Sequence, residues 1–149
     1  MLTPMNTRTL CILAAALAAV TAAGAAPITG GPLGGRLLES EPDRAEFFVN
    51  AERRAEIRFY DAALKPLAPG AQVVSVTAEV PSGRVRMELE KTEDGFVTHE
   101  PLPAGEAYRI VVQVRATPEA RPQNFRLDLN LGRCGGCARA EYACTCESH

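Results

Sequence analysis

Apolar and polar residues alternate with a period of two in successive short segments between residues 36 and 130. In one segment, Val74 and Val76 are separated by Ser75 and followed by Thr77. Successive side chains of a β-strand point to opposite faces of the sheet, so this pattern predicts strands with one face in the core and one in solvent. The predicted strands are residues 36–39, 45–50, 56–60, 74–80, 84–90, 96–100, 108–115 and 124–130.

The alternation also assigns each side chain to a face. It places the large side chains of Phe47 and Phe59 in the core, and it places Val85 there as well. By the same count, Glu46 and Tyr60 are expected on the solvent face.

Turn-forming residues separate the predicted strands at a spacing of about ten residues. Examples are Pro81-Ser-Gly83 and Glu93-Asp-Gly95, which are typical of tight turns. No segment between residues 36 and 130 shows a helical apolar stripe. The sequence therefore predicts an all-β fold, a single antiparallel immunoglobulin-like sandwich of about seven strands. A β-barrel is the alternative, because alternation alone does not separate a barrel from two packed sheets.

Residues 1–26 have the three parts of a secretory signal peptide. Arg8 is the only charged residue among the first 35, and it precedes an apolar run that extends from Leu10 to Val20. The run is shorter than the roughly 20 residues of a membrane-spanning helix, and small residues follow it. We therefore expect cleavage just before Ala25 or Pro27, a periplasmic or secreted product, and no stable membrane insertion after cleavage.

The rest of the chain is expected to form one domain preceded by a short leader. Residues 27–35 contain four glycines and two prolines, a composition that predicts a flexible segment. Without Arg8 the chain carries 15 basic and 18 acidic residues, which gives no reason to expect a nucleic acid partner. The oligomeric state is not predictable from these features.

The β-region offers little for catalysis. His99 is its only histidine and is expected to be an exposed strand residue. No serine lies in a nucleophile motif, and the acidic residues near Glu90 alternate with basic ones, as in cross-strand ion pairs. We expect a protein that is not an enzyme.

The chemically richest segment is the C-terminal tail, residues 131–149. It contains the pattern C-x2-C-x6-C-x-C-x2-H, formed by Cys134, Cys137, Cys144, Cys146 and His149. Thiolate sulfur is a soft ligand that suits copper(I) and zinc, and a C-x-C pair can converge on one ion. The pattern thus predicts a copper or zinc site made of these five residues.

An exported protein can instead use four cysteines for two disulfides, with three possible connectivities. The pairing Cys134–Cys146 with Cys137–Cys144 would be a nested arrangement of low strain. In that alternative the sandwich is a protein-interaction module. A thiol–disulfide exchange role is a third, less favoured possibility.

A continuous helix over residues 137–144 would place Cys137 and Cys144 about 10 Å apart along its axis and prevent one shared site, whereas a turn would allow it.

The segment Gly31-Pro-Leu-Gly-Gly-Arg-Leu-Leu38 resembles a Gly-Pro-His-Gly-Gly-Arg-Leu element. That element is associated with small periplasmic immunoglobulin- or fibronectin-like domains that accompany heavy-metal efflux systems of the resistance-nodulation-division class. The resemblance implies a β-domain without catalytic activity whose partners are metal-efflux components. Leu33 stands where that element has histidine, so no metal role is transferred to the leader.

Overall fold

The computed structural model describes residues 27–105 and 107–147 of the 149-residue chain. The predicted signal peptide and His149 lie outside the described residues. The described residues form ten strands and one short 3-10 turn at Glu141–Ala143. The strands are β1 (Arg36–Leu38), β2 (Arg44–Val49), β3 (Ala55–Tyr60), β4 (Pro66–Leu67), β5 (Val73–Val80), β6 (Gly83–Met87), β7 (Leu89–Lys91), β8 (Gly95–Thr98), β9 (Tyr108–Arg115) and β10 (Gln123–Leu129).

Two antiparallel sheets form the predicted sandwich. One sheet has the order β1-β2-β3-β8-β7, with the short β4 also paired to β3, and the other has the order β10-β9-β5-β6. Phe47 and Ile57 of the first sheet and Val76 and Ile110 of the second are fully buried. The prediction of an all-β antiparallel sandwich is therefore confirmed. In the described ranges, no helix has the length and apolar character needed to cross a membrane.

The segment predicted as one strand over residues 84–90 is two strands in different sheets. The chain leaves the second sheet after Met87 and enters the first at Leu89. The inward assignment of Val85 is wrong, since this residue is 40% exposed although its partner across the ladder, Ala78, is fully buried. Because β6 is an edge strand, the boundary of the core runs between these two positions.

The solvent-facing assignments of Glu46 and Tyr60 are also wrong, because both side chains are buried. The Tyr60 hydroxyl donates a hydrogen bond of 2.8 Å to the Glu46 carboxyl group. The backbone N–H groups of Leu33 and Gly35 donate to the same carboxyl group, at 3.0 and 2.8 Å. The glycine- and proline-rich segment thus covers the outer face of the first sheet.

That covering segment was expected to be a flexible leader, but its backbone is hydrogen-bonded. Gly31 N–H donates to Gly35 O at 2.9 Å to close a tight turn, and Leu37 N–H donates to Thr29 O at 2.8 Å. A Cβ atom on Gly31 would overlap the Glu46 side chain. The absence of a side chain at this position allows the turn to pack directly on the buried carboxyl group.

Candidate metal centre

The cysteine-rich segment folds back on itself directly after β10. Arg133 and Ala140 form an antiparallel bridge, and Cys134 N–H donates to Arg139 O at 2.9 Å. Glu141 N–H donates to Gly132 O at 2.8 Å, which closes the return path. Residues 137–144 are therefore a turn followed by a single 3-10 turn, the arrangement that permits one shared site.

This hairpin brings the four predicted cysteines together. The Sγ atoms of Cys134, Cys137, Cys144 and Cys146 all lie within 4.8 Å of one another. Cys134 Sγ lies 2.8 Å from Cys144 Sγ and 3.9 Å from Cys146 Sγ, and Cys137 Sγ lies 3.8 Å from Cys144 Sγ. Of the five predicted ligands, only His149 lies outside the described residues.

Two of these three separations are those expected in a four-sulfur metal site. Four sulfurs at about 2.3 Å from a tetrahedral zinc ion lie about 3.8 Å from each other. The Cys134–Cys146 and Cys137–Cys144 separations match that value. The Cys134–Cys144 pair is closer and would have to widen by about 1 Å around an ion. The cluster can therefore hold one metal ion with small side-chain rotations.

The same distances do not match the nested disulfides considered as the alternative. A disulfide holds its sulfurs about 2.05 Å apart. The two nested pairs lie at 3.9 and 3.8 Å, and no pair among the four described cysteines is at bonding distance. The shortest separation joins Cys134 to Cys144, a combination that the nested pairing does not contain.

The site has a buried side and an accessible side. Cys134 and Cys144 are each only 3% exposed, whereas Cys137 and Cys146 are partly exposed. A Cβ atom on Gly136 would lie 2.9 Å from Cys146 Sγ, closer than real Cβ contacts allow. A side chain at position 136 would therefore force the Cys146 side chain to shift from its place in the cluster.

The contact between Cys134 and Cys144 separates the acidities of the two thiols. The hydrogen bond from Cys144 lowers the pKa of Cys134 to about 6, and a backbone N–H at Gly136 contributes in the same direction. The same contact with Cys134 raises the pKa of Cys144 to about 12, and burial adds to the effect. Since the thiolate is the metal-binding form, this contact favours Cys134 over Cys144 as the thiolate of the pair.

Tyr142 anchors the cysteine-rich segment to the sandwich. Its ring meets the ring of Phe47 edge to face, with the centroids 5.6 Å apart. Its hydroxyl accepts a hydrogen bond of 3.0 Å from Val49 N–H, and its own N–H donates to Asn130 O at 3.1 Å. Ala143, immediately before Cys144, is fully buried in the same core. The cysteine cluster is thus fixed to the domain rather than carried on an independent tail.

Arg139 joins the cysteine hairpin to the glycine-rich segment. Its guanidinium group donates to Gly35 O at 3.2 Å and occupies the space that a side chain on Gly30 would fill. Two hydrogen bonds therefore connect the buried Glu46 to the turn that carries Cys137, one from Gly35 N–H to Glu46 and one from Arg139 to Gly35 O. Sequence reasoning did not identify Gly136, Arg139 or Tyr142, although the glycine pair and the lone aromatic residue between the cysteines were visible signals.

Elsewhere in residues 27–105 and 107–147, no second group of three or more histidine, cysteine or acidic side chains converges to form a candidate metal site. His99 is exposed, as expected, but it directly follows β8 instead of lying within a strand, and its N–H donates to Glu88 O at 2.9 Å. Compared with protein-family models, curated proteins and solved structures, the chain matches none of them.

Proposed function

We propose that this chain is an exported, non-enzymatic protein that binds one zinc or copper(I) ion through Cys134, Cys137, Cys144 and Cys146. The observation that carries the proposal is the convergence of the four Sγ atoms within 4.8 Å. Four sulfurs in a tetrahedral arrangement favour zinc, and copper(I) is the other common soft ion. His149 is a further candidate ligand next to the cluster in sequence.

The donor set supports a binding role rather than a catalytic one. Catalytic zinc sites keep one position open for water or substrate, whereas sites with four protein ligands are closed. Four cysteine sulfurs are enough to fill every position of a tetrahedral ion. A closed thiolate site is suited to holding, carrying or sequestering the metal.

An accessory role in heavy-metal efflux fits the signal-like residues 1–26 and the Gly31–Leu38 element. The packing of Gly31 and Gly35 on Glu46 offers a structural reason for the glycines of that element. This reason concerns folding, so the metal chemistry of the proposal rests on the cysteines alone. Metal-efflux components are the proposed partners.

The test is native mass spectrometry of protein purified anaerobically from the periplasm of an expression host. We expect the mass of the processed chain plus one zinc or copper ion, and no added mass in a variant with all four cysteines replaced by serine. Thr145→Ser is the matched control, because it places a serine in the same segment and leaves all four cysteines unchanged. A metal-free protein lighter by about four hydrogens would reveal two disulfides and contradict the proposal.

A further inference from the structure

Cys137 and Cys146 are the two partly exposed cysteines of the cluster, and three of their four neighbours along the chain are small. Along the chain, Cys137 is flanked by Gly136 and Ala138, and Cys146 is flanked by Thr145 and Glu147; all four flanking residues are exposed. A Cβ atom on the neighbouring Gly135 would meet nothing within 4 Å. Because these two cysteines are partly exposed, they form the side of the cluster that faces solvent.

The other two cysteines are held from behind by the fold. Cys134 is fixed by its N–H bond to Arg139 O, and Cys144 directly follows the buried Ala143. Neither sulfur is on a surface that an external ligand can reach, since both residues are 3% exposed. The cluster thus has two retained ligands and two ligands that can be exchanged.

We infer that the bound metal is exchanged with an external thiolate ligand through Cys137 and Cys146, while Cys134 and Cys144 retain the ion until transfer is complete. This inference rests on the proposed metal-binding function. It adds that the partner supplies thiolate ligands and that these ligands reach the metal on the side of Cys137 and Cys146.

The exchange is a ligand substitution without oxidation or reduction. A thiol of the partner forms a metal–sulfur bond as the bond from the metal to Cys146 Sγ breaks. The proton of the incoming thiol passes to the released Cys146 sulfur, so charge and atoms balance. A second substitution of the same kind replaces Cys137, so that two thiolates of each molecule hold the ion. Two further substitutions then release Cys144 and Cys134; each forms one metal–sulfur bond to the partner, breaks one to this chain and passes one proton to the released sulfur. Thiolate is the expected ligand class because it matches the softness of the ligands it replaces.

The test measures how fast the zinc-loaded full chain transfers zinc to excess thiol, using glutathione in one arm and a synthetic Cys-x2-Cys peptide in the other. We expect the transfer rate to rise with thiol concentration. In Gly135→Leu the rate should fall by roughly tenfold because the new side chain covers the open face. Gly70→Leu is the matched control, since it adds the same side chain on a distant exposed loop, where its Cβ would make only an ordinary contact.

Thr145→Leu is the second variant, and it guards against a folding defect specific to position 135. Zinc stoichiometry and affinity are measured first for every variant, and they should be unchanged. Failure of the wild-type chain to bind either zinc or copper(I) would contradict the proposed function itself. If the metal binds normally but the transfer rate is independent of thiol concentration, or is equal in all variants, the proposed exchange through Cys137 and Cys146 is wrong and the proposed metal binding stands. Faster transfer to the peptide than to glutathione would identify a protein carrying paired cysteines as the source of the thiolates, and the reverse would identify a small thiol.

Discussion

Glu46 is a fully buried acidic residue whose carboxyl group accepts hydrogen bonds from Tyr60 and from the backbone at Leu33 and Gly35. Each of these groups is a donor, so the site requires an acceptor at every position. The Glu46 side chain satisfies all three and ties the glycine-rich turn to the sheet. Its role is structural, and it acts on the hairpin of the cysteines through Gly35 and Arg139.

Glu46→Gln should destabilise the protein by about 1–3 kcal/mol, because an amide NH2 would face buried donors and leave at least one of them without an acceptor. The measurement is urea unfolding at neutral pH, with the midpoint converted to a free energy of unfolding. Glu52→Gln is the control, since this side chain is 74% exposed and should change stability little. Equal unfolding free energies for the two variants would contradict the hydrogen-bonding role of Glu46.

At the scale of elements, the cysteine hairpin and the sandwich share one core. Tyr142 packs on Phe47 of β2, and its hydroxyl pairs with Val49 N–H at a point where β1 no longer accompanies β2. The Tyr142 side chain of the 3-10 turn therefore takes the place of a strand partner for the backbone of Val49. We expect the cysteine hairpin and the sheet to fold and unfold together.

Metal removal should consequently lower the melting temperature of the whole domain in one cooperative transition. A ligand present at 100 times its dissociation constant stabilises the folded state by about 2.7 kcal/mol, which corresponds to a melting shift on the order of 10 °C for a domain of this size. Circular dichroism of the sheet, recorded with zinc and with a chelator, measures the shift. The variant with four serines is the control and should not respond to zinc. A sheet transition that does not move, with only the hairpin losing protection from hydrogen exchange, would show that the two elements are independent.

The elements that could be predicted from the sequence are those whose periodicity reflects a simple two-sided environment. Strands such as β5 and β9 have one face in the core and one outside, so alternation locates them. Glu46 and Tyr60 were misassigned because the segment that covers them is rich in glycine and has no periodicity of its own. The cysteine spacing predicted a shared site, but the return path depends on Tyr142 and on the space at Gly136, and both are tertiary contacts.

At the scale of the whole molecule, all three tyrosines are buried and all have a raised pKa. For Tyr60 the main cause is burial, and the hydrogen bond to Glu46 adds to it. Burial is also the largest cause for Tyr108 and Tyr142. Each tyrosine hydroxyl therefore keeps its proton in the folded state at a pH at which the same hydroxyl loses it in the unfolded chain.

This difference predicts alkaline unfolding. Below about pH 10, the ordinary pKa of tyrosine, both states are protonated and the stability is fully present. As the pH rises further, the unfolded chain releases protons first, and stability falls by up to about 1.4 kcal/mol per pH unit for each such tyrosine. Urea unfolding of the zinc-loaded protein between pH 8 and pH 11 measures the slope. Absorbance at 295 nm should show tyrosinate only as the protein unfolds.

Tyr60→Phe tests the contribution of one ring to that slope. The variant should be less stable at pH 8, because Glu46 loses a donor, yet its stability should fall less steeply above pH 10, because one titrating group is gone. The difference in the free energy of unfolding between the wild type and the variant should therefore become smaller as the pH rises. A difference that stays constant from pH 8 to pH 11, or tyrosinate absorbance appearing near pH 10 in the folded protein, would show that burial does not protect Tyr60. Narrowing would show that burial and the bond to Glu46 keep the Tyr60 hydroxyl protonated in the folded state.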